Sequence, residues 1–409
     1  MTTPWLEDVH PSPHSDLPRH ADVAVVGGGL VGVALARGLA AAGRLPLVLE
    51  REHLAAGASG RNAGLLLPGT AELYPGLVTR WGRSQAAELW RGGADGARRL
   101  VDWLAEDACD ADWRPEGALH VATTLAQAEV LADAMVTMTA DGFDVSWLAP
   151  GDLSGFTSQP VPSTFHGALY DPLGGPLHSG RLVTGLAAAA ARRGARFVEG
   201  CAVKSLRVEH TGVMLDTTRG GVRSDLVVVA TNAWANQLIP GVPILPVRGQ
   251  VLATAPLPPG VLRGAWSLND GSEYGQQLPD GRLLLGGMRQ TVPDREVGRL
   301  DPEVNDAIQA RLESWLAATF PALDRPPVPW RWAGIMAWTP DRLPLIGPAC
   351  PGERVWLAAG FNGHGLSLVP LAVEIVAGGL TGHRAPPLTP FFALDRFGAG
   401  LPIASPADR

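Results

Sequence analysis

The sequence predicts an α/β chain, α+β overall. A mostly parallel sheet is assembled from discontinuous segments, and an antiparallel sheet-and-helix unit is inserted between them. Three observations carry this reading. Residues 22–50 alternate strand, glycine turn, helix and strand. Far downstream, residues 226–230 (Leu-Val-Val-Val-Ala) are apolar and β-branched enough for another buried parallel strand. Residues 244–290 change character, with short strands alternating between turn signals such as Pro279-Asp280-Gly281. At 409 residues the chain is long enough for two domains or one large interrupted one.

The first strand is the apolar run Asp22-Val-Ala-Val-Val26. Gly27, Gly29 and Gly32 then follow the G-x-G-x-x-G spacing. The first lets the chain turn, the second lets backbone approach a pyrophosphate, and the third lets the helix lie close to the strand. A helix over 30–42 presents the N–H groups of its first turn, Leu30 and Val31 included, where the helix dipole favours negative charge. Gly43 stops that helix, and residues 46–50 form the second strand. Its terminal acid, Glu50, lies 18 residues after Gly32 and can accept hydrogen bonds from ribose hydroxyls. Together these elements define a Rossmann-like dinucleotide site without specifying which dinucleotide.

The remaining elements follow in order. Residues 1–20 read as an extended arm, 84–108 and 125–141 as amphipathic helices, and 117–123 as a strand between them. A helix over 179–193 leads into strands at 195–198, 203–209, 212–217 and 226–230. After the β-rich stretch come a helix over 302–320, a return through 332–336, a strand at 355–359, a glycine-rich turn and a helix over 368–378. The expected division gives the nucleotide-binding domain residues 21–85, 155–235 and 330–381. The substrate domain takes 86–154 and 236–329, and 382–409, rich in Pro and Ala, form a surface tail.

Composition excludes several classes. A formal net charge of −7 without a basic cluster gives no footprint for nucleic acid. No apolar run reaches the ~18 residues of a membrane span, and residues 1–20 lack the apolar core of a signal peptide. Cys109, Cys201 and Cys350 have neither metal nor C-x-x-C spacing and leave one unpaired, which points to a reducing cytoplasm and to no metal site. Of the 33 basic residues only Lys204 is a lysine, a count that bears on the chemistry below.

Two further segments favour FAD over NAD. Ala58-Ser59-Gly60-Arg61-Asn62-Ala63-Gly64 follows the acidic strand, where a flavin extending from the pyrophosphate would be reached. Gly360-Phe-Asn-Gly363-His364-Gly365 leads into a helix whose N-terminus suits negative charge at the N1–C2=O edge of a reduced flavin. With these segments, Ala168-Leu-Tyr-Asp171, Ala230-Thr-Asn-Ala-Trp234, Pro246-Val-Arg-Gly-Gln250 and Thr339-Pro-Asp341 make the chain resemble the glycine oxidase/sarcosine oxidase/D-amino-acid oxidase family over nearly all of 21–381. The arm Pro4-Trp5-Leu6-Glu7-Asp8 further resembles bacterial amine or γ-glutamylputrescine oxidoreductases.

The resemblance implies FAD-dependent hydride transfer from a carbon beside an amine nitrogen, giving an imine that water hydrolyses. It implies a small-molecule amine or amino acid as substrate, with oxygen or an electron-accepting partner as oxidant. The cofactor contacts it implies are Gly27, Gly29, Leu30, Val31, Gly32, Glu50, Arg51, Ser59, Arg61, Asn62, Ala63, Gly64, Leu65, Val203, Asn232, Trp234, Gly334, Gly360, Gly363, His364, Gly365 and Leu366. An aromatic-ring monooxygenase would share the opening fold but carry a Gly-Asp segment before the late helix, which is absent here.

The chain also departs from its relatives. Arg61 and Gly334 stand where some of them attach flavin covalently, so FAD is expected to be non-covalent. Met336 replaces an arginine, and Ser367 a lysine, that bind the substrate carboxylate in relatives. Either Arg289 or Arg61 substitutes, or the substrate lacks an α-carboxylate. Met336, Trp338, Trp266 and Trp332 suggest an aromatic-lined pocket, the alternative being ordinary core tryptophans. Leu284 stands where some sarcosine oxidases place an oxygen-activating lysine, which leaves oxidase and dehydrogenase both open. His364, Tyr274 and Arg289 are the candidate catalytic residues. His178 is read as a helix-cap residue and Arg248 as an anchor of the domain junction.

Overall fold

The computed structural model describes residues 3–7, 9, 16–349, 354–382 and 386–398. The chain enters through β1 (His20–Val26), α1 (Leu30–Ala41) and β2 (Pro46–Leu49). The long helix α2 (Arg83–Glu106) leads to β3 (Ala118–Val121) and β4 (Ala168–Asp171). Helix α3 (Ser179–Arg192) returns the chain to β5 (Arg196–Val198) and, after a hairpin, to β6 (Gly220–Val229). Then come β7 (Leu245–Ala253), β8 (Ala265–Leu268), β9 (Glu273–Gln277), β10 (Leu283–Gly287), α4 (Asp306–Thr319) and β11 (Trp330–Trp338). Strands β12 (Leu345–Pro348) and β13 (Val355–Ala359) and helix α5 (Gly365–Thr381) follow.

These strands form two large sheets. The first runs β12-β13-β6-β1-β2-β5, parallel except for β12, with the hairpin strands Val203–Glu209 and Gly212–Thr217 added at β6. Its strands are buried on both faces, as expected where helices cover a parallel sheet. Helix α1 packs against both α3 and α5. A Cβ on Gly32 would lie 1.9 Å from the Gly27 carbonyl oxygen, and Gly27 has φ 112°, so both positions need glycine for helix and turn to close up.

The second sheet runs β11-β7-β10-β9-β8-β3-β4, with the short strand Ser146–Leu148 at the β4 edge, and is antiparallel except where β8 meets β3. One of its faces packs Leu252, Trp266, Leu283 and Leu285 against Ile308, Leu312 and Leu316 of α4. The other face looks toward the first sheet. Residues 168–171 and 330–338, which the sequence groups with the nucleotide-binding segments, hydrogen-bond in this second sheet.

Several local expectations change. The late helix begins at Gly365 rather than 368, so its first turn is the glycine turn itself. Helix α4 starts at Asp306, where the Asn305 side chain accepts from the N–H groups of Ala307 and Ile308. A helix at Tyr74–Trp81, opened by Pro75, was masked in sequence by its short length. Residues 4–6 of the arm are not extended: Pro4–Leu6 form a 3₁₀ turn and Trp5 is completely buried. Nor is all of the C-terminal segment surface tail, since Phe392 is 1% exposed and Arg396 pairs with Asp341 at 2.7 Å. Among the described residues, no helix is long and apolar enough to cross a membrane, and no group of three His, Cys, Asp or Glu could hold a metal.

Candidate active site

Where β1, β2, β6 and β13 end, the first sheet faces the second across a cavity of about 850 Å³. Ligands of open parallel sheets bind at this carboxyl edge. The two cradles at its edge are helix N-termini, α1 after Gly29 and α5 after His364, and neither has a side-chain cap. Apart from the Leu30 N–H, their first-turn N–H groups are therefore available to an anionic ligand. The Leu30 N–H donates to Ser59 Oγ at 2.8 Å, joining the turn to the Ser59–Leu65 loop.

Glu50 shows how the acid is held. Its carboxylate accepts from the Gly28 N–H at 2.6 Å and the Glu52 N–H at 2.9 Å. Burial pushes its pKa up, against the lowering effect of those two backbone donors. The Arg51 guanidinium lies over the Trp234 ring, 4.2 Å from its centroid. A dinucleotide fits this end: glycine backbone, an oriented acid and a half-buried indole with its stacked arginine are already in place.

Of the cofactor contacts named from sequence, Gly27, Gly29, Leu30, Val31, Glu50, Arg51, Ser59, Arg61, Asn62, Ala63, Gly64, Leu65, Val203, Asn232, Trp234, Gly334, Gly363, His364, Gly365 and Leu366 line the cavity. Gly32 and Gly360 do not. Gly32 faces the turn, as above, and Gly360, at φ 76°, packs against Thr339 behind the wall.

The second sheet supplies the opposite wall through strand alternation. Ser267 of β8 and Tyr274 of β9 are cross-strand partners, and Tyr274 faces Gly286 of β10. A Cβ on Gly286 would lie 2.3 Å from the Tyr274 ring, so glycine there lets the ring lie flat on the strand. On β11 the alternate residues Gly334, Met336 and Trp338 line the cavity. Trp266 is a correction: because Ser267 faces the cavity, Trp266 points to the other side and is 1% exposed in the core against α4. Trp332 is buried as well, its Nε1 donating to the Arg61 carbonyl at 2.9 Å.

The titratable groups divide by environment. Burial pushes the Tyr274 hydroxyl up to about 12, with Arg289 acting the other way. Burial pushes the His364 imidazole down to about 4 against the Asn362 backbone, and its Nδ1 has no well-formed hydrogen bond. Arg61 donates to the carbonyls of Ala56 at 2.9 Å and Ala333 at 3.3 Å, so its guanidinium is tied to backbone. Arg289 makes no such bonds and lies over Trp338, 4.9 Å from the ring centroid. Ser367 is buried and bonds the Gly69 carbonyl at 3.2 Å, behind the cavity wall. His178 caps α3 by accepting from the Arg181 N–H, and Arg248 pairs with buried Glu296.

Sequence reasoning missed His120, Arg295 and Arg342. His120 is buried on β3 opposite Ser267, and burial with nearby His364 pushes it down to about 4. Its signal was a lone histidine in an apolar strand. Arg295 and Arg342 line the cavity from loops, where no periodicity marks them.

Fold and site together define a two-sheet dinucleotide-binding enzyme with a partly aromatic chamber between the sheets. The family described as FAD dependent oxidoreductase (DAO) matches residues 22–378, and the chain belongs to it. FAD is accordingly its cofactor. A probable oxidoreductase OrdL of Haemophilus influenzae is 27% identical over 89% of this chain and 83% of its own length. The γ-glutamylputrescine oxidoreductase of Escherichia coli is 29% identical over 87% of this chain and 82% of its own length. The crystal structure of glycine oxidase from Geobacillus kaustophilus superposes with a TM-score of 0.77 at 26% identity, over 95% of this chain and 100% of that one.

Proposed function

We propose that this chain oxidises the C–N bond of an amine or amino acid, with FAD held non-covalently, to an imine that water hydrolyses. The observation that carries the reading is the single cavity joining two uncapped helix N-termini to a wall bearing Tyr274, Met336 and His364. FAD, when bound, supplies the hydride acceptor. The turn Gly27–Val31 would hold the pyrophosphate, Glu50 the ribose, and Arg51, Val203 and Trp234 the adenosine side. The Ser59–Leu65 loop, Asn232, Gly334 and the Gly363–Leu366 turn would hold the flavin.

The catalytic roles follow from protonation states. His364, neutral at physiological pH, can accept a hydrogen bond from the substrate amine, and the burial that disfavours its own charge also disfavours the ammonium form beside it. Tyr274 stays protonated and can donate a hydrogen bond that orients it. Arg289 offers a cation, and Met336 an apolar surface against which the substrate excludes water. Arg61 and Gly334 offer no side chain for a flavin bond, which supports non-covalent attachment.

Electrons pass either to oxygen or to a partner protein. The dehydrogenase reading is favoured by one observation: the only lysine, Lys204, is exposed on the strand Val203–Glu209, and Leu284 is fully buried. Within the family we place the chain nearest the γ-glutamylputrescine-type amine oxidoreductases, supported by the likeness to the Escherichia coli protein. Buried free thiols at Cys109 and Cys201 support a cytoplasmic location.

The test is anaerobic bleaching of bound flavin across primary amines, N-methylated amines and D- and L-amino acids, followed by a peroxide assay in air. Bleaching by an amine is expected. Rapid bleaching by NADPH with none by any amine would overturn the proposal.

A further inference from the structure

The arginines at the outer end of the cavity stand apart from the others. Arg37 and Arg248, the buried ones, are matched to carboxylates. Arg289, Arg295 and Arg342 all line the cavity, yet none makes an ion pair or a side-chain hydrogen bond among the described residues. Arg289 and Arg342 both lie over the Trp338 ring, 4.9 and 5.7 Å from its centroid. Stacking uses the guanidinium face and leaves its N–H edge for an anion. The Trp338 Nε1 is also buried without a partner.

The loops that carry these arginines are anchored. Asp341, the residue before Arg342, is held by Arg396 at 2.7 Å. Glu296, the residue after Arg295, is 1% exposed and paired with Arg248. Burial lowers the Arg289 pKa, and Arg295 and Arg342 lower it further; only Tyr274 opposes them. Asp270 lines the same cavity but is exposed and makes no ion pair with the three arginines. The result is a positive cluster on anchored loops, with Arg289 half-buried, Arg295 and Arg342 exposed, and no carboxylate paired to any of the three.

Its location differs from that of the carboxylate-binding arginine the family resemblance puts at Met336. Trp338 lies two residues further along β11 on the same face, a displacement of about 7 Å. We infer that the cavity selects an amine whose carboxylate lies at the far end of its chain, held where Arg289 and Arg342 meet Trp338. The inference rests on the proposed amine oxidation and names its substrate class. A carboxylate accepts two parallel N–H bonds from a guanidinium edge, and a second arginine satisfies its remaining lone pairs.

The test is equilibrium binding to the holoenzyme, read from perturbation of the flavin spectrum, with hexanoate and hexanamide as a pair of equal length. Hexanoate should bind about tenfold or more tightly than hexanamide, the range of a charge-assisted hydrogen bond. The preference should shrink in Arg342→Gln, which alters an exposed side chain, and vanish in Arg289→Gln/Arg342→Gln at unchanged flavin content. A wild-type ratio near one, or a ratio kept in the double variant, would overturn the inference. So would tighter binding of hexyl phosphate than of hexanoate. Because these ratios need no turnover, they stand or fall separately from the amine-bleaching result.

Discussion

His364 lines the chamber and His120 is buried on β3 beside Ser267, and both imidazoles are pushed down to about 4 from 6.5. A histidine whose folded pKa is depressed stabilises the fold above its unfolded pKa and loses that contribution as pH falls through the folded one. Between about 6.5 and 4 the unfolded chain therefore binds more protons at these positions. Asp171, pushed up to about 6 by burial, titrates in the same range with the opposite sign. The difference between wild type and His120→Gln isolates one histidine. Urea midpoints from pH 6.5 to 4.5 should show a shallower acid loss in the variant, by up to about 1.4 kcal/mol per pH unit. Parallel slopes in the two proteins would contradict a buried neutral His120.

At the scale of elements, the N-terminal arm supports the flavin loop from behind. Thr3 Oγ1 donates to the Gly60 carbonyl and Trp5 Nε1 to the Asn62 carbonyl, each at 2.6 Å. The Trp5 ring meets His178 edge-on at 4.9 Å, and Gly64 has no room for a Cβ beside it. Trp5→Ala should cost about 3–5 kcal/mol in urea unfolding. It should also release flavin more readily on gel filtration, because the Ser59–Leu65 loop loses its backing. A variant as stable as wild type that retains all its flavin would show that the arm merely covers the surface. Strand alternation explains the neighbouring correction at Trp266: one residue of offset separates a chamber wall from a core.

Across the whole molecule, the chamber gathers segments from residue 26 to residue 369, so no single stretch of chain contains it. FAD bridging the two sheets should stabilise them together. Binding to the folded state alone adds about 2.7 kcal/mol at free FAD one hundred times Kd. Apoprotein should therefore melt below holoprotein, with the gap growing as FAD is added; a melting temperature insensitive to FAD would contradict this bridging.

The turn at Gly27–Gly32, the acid Glu50 and the late glycine turn were legible because their chemistry is local. Spacing of a few residues sets a backbone angle, a helix start or a donor row. The parallel strands were legible for the same reason, since burial on both faces leaves an unbroken apolar run. Three things were not local. Which face Trp266 presents depends on strand register, and Trp5 and Phe392 look like chain ends until their partners arrive. Arg289 and Arg295 come from the connection after β10 and Arg342 from the loop after β11, so only the folded chain brings Arg289 and Arg342 together over one indole. Local pattern was sufficient for the cofactor; the shape and charge of the substrate chamber came from tertiary packing, where the partner of a side chain lies on another strand or loop.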